Sequence, residues 1–475
     1  LTLPVDQPRL WYPNGHGAQP LYTAEVTVSG ADGSTHDRRR VRFGIRRIEM
    51  IANAGADPSA RPYTLVVNGQ RVYIKGWNWV PMDAMYGVPR PEKLDHLLTL
   101  AQRAHVNLLR VWGGGLIEKS AFYERCDELG LLVWQEFIQS SSGIDNNPPT
   151  DPAFVAHMVR EAEQIIPRRR NHPSLAIWCG GNELTASGDV PLDDTHPMLG
   201  ALGDVVRRLD PDRVWLPTSP TGPVFGNTLK NLRHNPDDLH DVHGSWEYQG
   251  VRQHYELYNL GSALLHSEFG VEGLTNLKSL NATVSPANQF PVTLRNPVWQ
   301  HLGAWWVKEK LWREVWGEVD NITTLVRATQ WMQAEGLRYA LEADRRRKYR
   351  SSGTLPWQFN EPFPMAACTS AVDYYQQPKP LYYAVAHAYE PLHVSARFEA
   401  AAWGGLDRFS AQVWVHSSLR EAVEQAAISA HVLDMTGRVC HEAQASVTVA
   451  PDSAAALLTV EAALADIPSD VFFLD

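Results

Sequence analysis

The stretch "SLAIWCGGNELT", residues 174–185, decides how the middle of the chain is read. An apolar run, Leu175 to Cys179, closes on two glycines, an amide and a carboxylate. A short apolar run bounded by turn residues reads as a buried strand. Asn182 and Glu183 then stand at its C-terminal mouth. From this stretch alone two roles for Glu183 stay open: a group that does chemistry, or a cap on a following helix "LTASGD", since Asn and Glu are common near helix starts.

The flanking pattern bears on the choice. "YTLVVNGQRVYIKGWNWVP" is a hairpin around Asn68-Gly69 feeding a buried strand at 72–77. Helical and strand segments then alternate. Helices at 91–104, 118–129 and about 152–170 separate strands "NLLRVW" (107–112), "LLVWQE" (131–136) and 174–179. "RVWLPTS" (213–219), "LHDVHG" (239–244), "ALLHSEF" (263–269) and "TLPWQFN" (354–360) complete eight strands, with helices near 297–316 and 322–347 before the last. Eight strands interleaved with helices over about 325 residues predict a (β/α)8 barrel carrying insertions. Alternation of period two returns on both flanks, in "LYTAEVTVSG" and "RRRVRFGIRRIEM" before it and in "HVSARFEA", "FSAQVWVHSS" and "ASVTVA" after it. The expected organisation is the end of an immunoglobulin-like β-sandwich over 1–50, a barrel over 51–390, and the start of a second β-sandwich over 391–475.

In such a barrel the chemistry collects where strands end. Arg110 closes strand two ahead of Trp112 and three glycines. His243 closes strand six, with Trp246 beyond it. Glu268 closes strand seven, and Trp357 lies in strand eight with Glu361 after it. A lone Arg, His or Trp at such a place is more often structural. Two glutamates at the mouths of strands four and seven are harder to assign to packing, because those strands face each other across a barrel. Such a pair can flank one glycosidic bond, one carboxyl protonating the leaving oxygen and the other attacking the anomeric carbon or activating water. Arg110 is placed to hold Glu268 ionised, and a dry aromatic setting to raise Glu183 toward acid duty.

Composition narrows the alternatives. The chain has 475 residues, 44% of them hydrophobic, enough for two or three packed domains. A net charge of −10 lacks the basic footprint of a nucleic-acid partner. Seventeen Trp and sixteen Tyr suit a core and also stacking on sugar rings. No run of 18 apolar residues marks a membrane span. Cys126, Cys179, Cys368 and Cys440 are too few and too scattered for a disulfide framework or a zinc site. No GxGxxG, GxxxxGK[ST] or HExxH occurs, and "DVHG" offers one His where a metal-dependent barrel hydrolase needs an HxH partner. No cofactor or metal is therefore expected. The first residues carry no charged segment ahead of an apolar one, as a signal peptide would. Nothing in the sequence bears on oligomeric state or compartment.

"RVWGGG", "FYERCDELGLLVWQEF", "RRRNHPSLAIWCGGNE", "LHSEFG" and "DYYQQPKPLYYAV" together resemble glycoside hydrolase family 2, nearest its β-mannosidase branch, with plant-type endo-β-mannosidase and exo-β-glucosaminidase as neighbours. The resemblance implies that Glu183 is the general acid/base and Glu268 the nucleophile of a retaining β-glycosidase acting on a glycoside or oligosaccharide. Asn182 would bond the sugar's 2-hydroxyl. "KGWNWVPMD" (75–83) resembles the β-mannosidase "NWIPxD" segment, which implies Asn78, Trp79 and Asp83 as sugar-binding residues of the −1 subsite. Arg110, Trp112, His243, Trp246, Trp357 and Glu361 complete the expected binding set. "WYPNGHGAQPLY" and "VRFGIR" match the end of the sandwich that precedes the family's barrel, so the chain is expected to be a piece of a longer one. "GGNE" stands where "GNNE" is common, and "QFNEPFP" where the family is nearer "QLNDxWP". The reading is an exo-acting β-mannosidase. Exo-β-D-glucosaminidase, endo-β-mannosidase, β-galactosidase or β-glucuronidase are alternatives within the family, and a non-catalytic carbohydrate-binding relative is a distant one.

Overall fold

A computed structural model describes residues 4–141 and 146–475. Eight parallel strands curl into one sheet: Ile74–Trp79, Leu108–Val111, Leu132–Glu136, Leu175–Cys179, Val214–Leu216, Asp241–His243, Leu265–Phe269 and Gly353–Pro356. Numbered along the chain as barrel strands one to eight, they neighbour each other in the order 5-4-3-2-1-8-7-6. That is the cyclic order of a (β/α)8 barrel, opened between strands five and six. The gap is bridged by a side chain, Thr221 N donating to Asp241 Oδ2 at 3.0 Å. All eight expected strands are present.

Strand periodicity sorts each residue into one of two cores. Along strand four, Trp178 packs among the helices, while Ile177 and Cys179 belong to the inner core. The inner set, with Ile74, Leu108, Leu132, Trp134, Leu265 and Leu355, fills the barrel. A parallel sheet covered on both faces needs such two-sided apolar runs, which is why these segments do not alternate.

Below the barrel, Ile48–Ile51 pairs with Thr64–Val67, which turns back into Gln70–Val72. The turn is Asn68-Gly69, with φ of 52° and 78°. Positive φ at both positions is what a two-residue type I′ hairpin demands. Ahead of it, Tyr22–Ser29 pairs antiparallel with Thr35–Phe43. The single strand expected across "RRRVRFGIRRIEM" is interrupted at Gly44, whose Cα lies so near Pro173 that a Cβ would come within 2.8 Å of its ring. Beyond residue 391, two three-stranded sheets enclose their own core, with Phe409, Val413, Val432 and Val460 buried between them.

The helical segment expected at 297–316 is two helices, Pro297–Gly303 and Glu309–Trp316. The long helix Ile322–Arg346 follows, its N-terminus capped by Asn321 accepting from Thr324 N at 2.8 Å. Among the described residues, no helix is long and apolar enough to cross a membrane.

Candidate active site

Glu183 and Glu268 meet across the barrel mouth. One oxygen of each and a ring nitrogen of His243 all lie within 4.8 Å of one another. Glu183 follows strand four in a left-handed backbone conformation, φ 54°. A non-glycine residue there is uncommon and concentrates at functional sites. No helix follows for Glu183 to cap: Thr185–Ala186 pairs with Val190–Pro191 in a short hairpin, turned by Gly188 and Asp189 at φ 81° and 56°. The capping alternative therefore has no helix to act on.

Arg110 organises the floor. It is fully buried and addresses four groups. Its Nη1 donates to Glu268 Oε2 at 2.8 Å and to Asn78 Oδ1 at 2.6 Å. Its Nη2 donates to Asn182 Oδ1 at 2.6 Å, and its Nε to Glu136 Oε1 at 3.0 Å. Trp246 Nε1 donates to the other Glu268 oxygen at 3.0 Å. Two donors, one cationic, thus fix both oxygens of Glu268, the arrangement an attacking carboxylate requires.

Glu183 sits differently. Its Oε2 accepts from Ser141 Oγ at 2.8 Å, and its Oε1 lies 2.9 Å from His243 Nδ1. Burial pushes its carboxyl above the usual range, and the partial relief from Ser141 and Arg110 does not offset that. Burial also holds His243 well below the usual imidazole value, so the ring is neutral. Two carboxyls with different surroundings are what a division between acid and nucleophile needs.

The aromatic rim is formed by half-buried tryptophans. Trp112 and Trp357 meet edge to face at 5.3 Å. Trp246 and Phe225 bracket His243 at 6.5 and 5.7 Å. A cleft of about 800 Å³ opens beside His243 and Trp246 toward Asn227 and Lys308.

Three expected binding residues are placed elsewhere. Trp79 faces outward, because strand alternation puts Asn78 inside and its neighbours outside. Its Nε1 donates to Glu118 Oε1 at 2.9 Å, and it packs on Phe122 and Phe359. Asp83 accepts from Met85 N and Tyr374 Oη at 2.8 and 3.0 Å and pairs with Arg90 at 2.7 Å. Glu361 accepts from Ser370 Oγ at 2.5 Å and Tyr374 N at 3.0 Å. Asp83 and Glu361 therefore grip one residue, Tyr374, from two sides. Trp357 lies just past strand eight, which ends at Pro356. Asn78 sits on the floor, its amide donating to Ser267, Leu355 and Pro356 carbonyls.

Sequence reading missed Glu136, Ser141, Ser219, Asp241 and Ser267. Glu136 ends strand three two residues beyond Trp134, the register partner of Arg110, and burial pushes its carboxyl up to about 7 despite Arg110 beside it. Asp241 was legible in "DVH", since residues two apart on a strand share a face. The serines carry no sequence signal.

The fold is a (β/α)8 barrel that carries paired carboxylates at the mouths of strands four and seven. The family model described as "Glycosyl hydrolases family 2, TIM barrel domain" matches residues 60–215, and one described as "Glycosyl hydrolases family 2" matches residues 1–46. Through both regions the chain is similar to glycoside hydrolase family 2. It is similar to beta-mannosidase B of Emericella nidulans, 27% identical over 494 residues, covering 96% of this chain and 56% of that protein. It is also similar to beta-mannosidase B of Aspergillus oryzae, 28% identical over 454 residues, covering 89% and 51%. The chain spans about half the length of the curated relatives it matches. Among solved structures, β-D-mannosidase from Dictyoglomus thermophilum superposes with a TM-score of 0.81 at 26% identity, covering 99% of this chain and 56% of that one. The exo-chitosanase of Amycolatopsis orientalis shares the fold, with a TM-score of 0.74 at 17% identity, covering 99% and 55%.

Proposed function

We propose that the protein is a retaining exo-acting β-glycosidase, a β-mannosidase, that works by double displacement. The supporting observation is the Glu183–Glu268 pair, with oxygens within 4.8 Å across the mouth. Retaining enzymes hold their carboxyls about 5–5.5 Å apart, whereas inverting ones leave about 6.5–9.5 Å for a water. Glu268 attacks the anomeric carbon while Glu183 protonates the leaving oxygen. Glu183, now a carboxylate, then draws a proton from the water that breaks the glycosyl-enzyme.

Arg110 orients the nucleophile and Asn182, whose amide is the group offered to the 2-hydroxyl. Trp112, Trp246 and Trp357 give the ring its apolar walls. Asp83 and Glu361 act by fixing the loops after strands one and eight through Tyr374, and Asn78 by holding Arg110. In this reading residues 1–50 end one sandwich, 51–390 form the catalytic barrel and 391–475 begin a second sandwich. The mannoside preference is supported by the similarity to β-mannosidases and by the resemblance of the "NWVPMD" segment. Hydrolysis of aryl β-glycosides in the manno, gluco, galacto, glucosaminide and glucuronide series by the full-length protein tests it.

A further inference from the structure

Behind Glu183 runs a continuous buried chain of hydrogen bonds that the double displacement does not use. Glu183 Oε1 lies 2.9 Å from His243 Nδ1, and His243 Nε2 lies 3.0 Å from Ser219 Oγ. Ser219 Oγ is 3.0 Å from Ser267 Oγ, which donates to Asp241 Oδ1. His243, Ser219, Ser267 and Asp241 are all completely buried. The second Asp241 oxygen accepts from Thr221 N and Oγ1 at 3.0 and 3.3 Å. The chain links the ends of strands four, five, six and seven and stops on a carboxylate that has no ion pair among the described residues.

Its direction is set by which groups must accept. An ionised Asp241 only accepts, so Ser267 gives its hydrogen to Asp241 and receives one from Ser219. Ser219 in turn receives the Nε2 hydrogen of His243. A neutral imidazole has one donor and one acceptor nitrogen, so Nδ1 is left as the acceptor. The group facing Nδ1 is Glu183 Oε1, which then has to donate. The order is complete only when Glu183 carries a proton. Reversed, with the proton on Asp241, every hydrogen in the chain points the other way, and Nδ1–H donates to an ionised Glu183.

We infer that Asp241 is a positioning residue that shares one proton with Glu183 through Ser267, Ser219 and His243, and so sets the acid and base states of Glu183. The exchange is balanced: four O–H or N–H bonds break and four form, Glu183 loses one proton, Asp241 gains one, and the total charge is unchanged. This rests on the assignment of Glu183 as acid/base given above. Burial pushes the Asp241 carboxyl up to about 6, within reach of such exchange.

The groups facing the chain are few. Asp241 faces Ser267, Thr221 and, at longer range, Arg110 and Tyr63. His243 faces Glu268 at 3.9 Å, Arg110 and His266, and Glu183 faces Ser141, Arg110 and Asp189. Arg110 is common to all three sites and is ion-paired to Glu136 and Glu268.

The test is the alkaline limb of the kcat/KM profile on an unactivated β-glycoside, for the full chain and for Asp241→Asn, Ser219→Ala, Ser267→Ala and the Asp241→Asn/Ser219→Ala double variant. In the intact chain, ionising Glu183 leaves two linked carboxylates. Asp241→Asn removes one of them, and Ser219→Ala frees His243 to donate from Nδ1 to ionised Glu183. Both changes ease the ionisation, so both move the limb to lower pH, with on the order of tenfold less activity on the alkaline side. The double variant shows no further shift. Ser267→Ala breaks the same chain one link on and decides the matter if Asp241→Asn does not fold. Folded single variants with the wild-type profile, or additive shifts in the double, overturn the proposal. An alkaline limb that persists in Glu183→Ala instead refutes the acid/base assignment beneath it.

Discussion

Glu183 and Glu268 are bound by different kinds of partner: a neutral imidazole at 2.9 Å from Glu183 Oε1, a buried guanidinium at 2.8 Å from Glu268 Oε2. Both carboxylates follow an apolar run, Glu183 after Leu175–Cys179 and two glycines, Glu268 after Ala263–Leu265, His266 and Ser267. What separates them is that Arg110 reaches groups of strands one, three, four and seven, whereas the carboxyl of Glu183, in its left-handed turn, is held by Ser141 and His243. That difference is the physical basis for giving the two carboxyls different work, and each expectation below follows from it or from the groups around it.

Removing the nucleophile should stop turnover on every substrate. Glu268→Ala is expected to lower kcat by roughly 10⁴-fold or more, whatever the leaving group. Steady-state rates on a nitrophenyl and on an alkyl glycoside check this, and a variant that keeps full activity on either one contradicts it.

Among the described residues, Arg110 is the only buried cation ion-paired to Glu136 and Glu268. Arg110→Leu should destabilise the fold by about 3–5 kcal/mol, because it leaves buried carboxylates without their partner. Arg110→Lys keeps the charge but not the fork and should restore part of the stability with little activity. Denaturant unfolding monitored by tryptophan fluorescence separates the two. Equal stability of the Leu variant and wild type would show that the ion pairs carry none of the fold.

Glu272 gives a pH dependence with a definite sign. It is fully buried beyond strand seven, one oxygen accepting from Trp312 Nε1 at 3.2 Å and the other without a hydrogen-bond partner among the described residues. Burial pushes its carboxyl up to about 8. A carboxyl raised on folding binds its proton more tightly in the native state. Its contribution is complete below the unfolded value near 4.3 and is lost as pH rises to about 8. Glu272→Gln removes that dependence. The stability of the variant relative to wild type should grow by about 1.4 kcal/mol per pH unit from pH 5.5 to 7.5 and flatten above 8. Melting curves at pH 5.5 and 8.5 measure this, and a constant difference refutes it.

Asp83 tests the sugar-facing role implied by "NWVPMD". Its carboxylate is occupied by Met85 N, Tyr374 Oη and Arg90. Asp83→Ala is expected to lose roughly tenfold or more in kcat/KM on an aryl β-mannoside by loosening the loops, a misplacement effect that acts at a distance. Tyr374→Phe should reproduce part of the loss. A large effect from Asp83→Ala with none from Tyr374→Phe would mean a direct bond to a ring hydroxyl.

The barrel was legible because a parallel sheet buried on both faces leaves runs such as "LLVWQE" and "SLAIWC" that only strands explain at that length. Glu183 and Glu268 were legible because a charged residue closing such a run has to be at the mouth. Local turn chemistry misled at "LTASGD", where Gly188 and Asp189 build a hairpin rather than a helix. Trp79 misled because a motif resemblance names residues without saying which face of the strand they occupy. Ser219 and Ser267 were invisible, since a serine gains meaning only from what it touches, and their partners lie 24 and 26 residues away.

Substrate preference is checked by the aryl glycoside panel. The β-mannoside should have the highest kcat/KM, and a higher value for the glucosaminide would move the assignment to the neighbouring branch of the family.

The division of labour between the two glutamates is tested most directly by azide rescue of Glu183→Ala on an aryl β-mannoside with a good leaving group. Such a substrate needs no proton to depart, so Glu268 still forms the glycosyl-enzyme, which accumulates without its base. Added azide should restore turnover and yield the β-mannosyl azide, with configuration retained through two inversions. An α-mannosyl azide, or wild-type turnover without azide, would contradict the account.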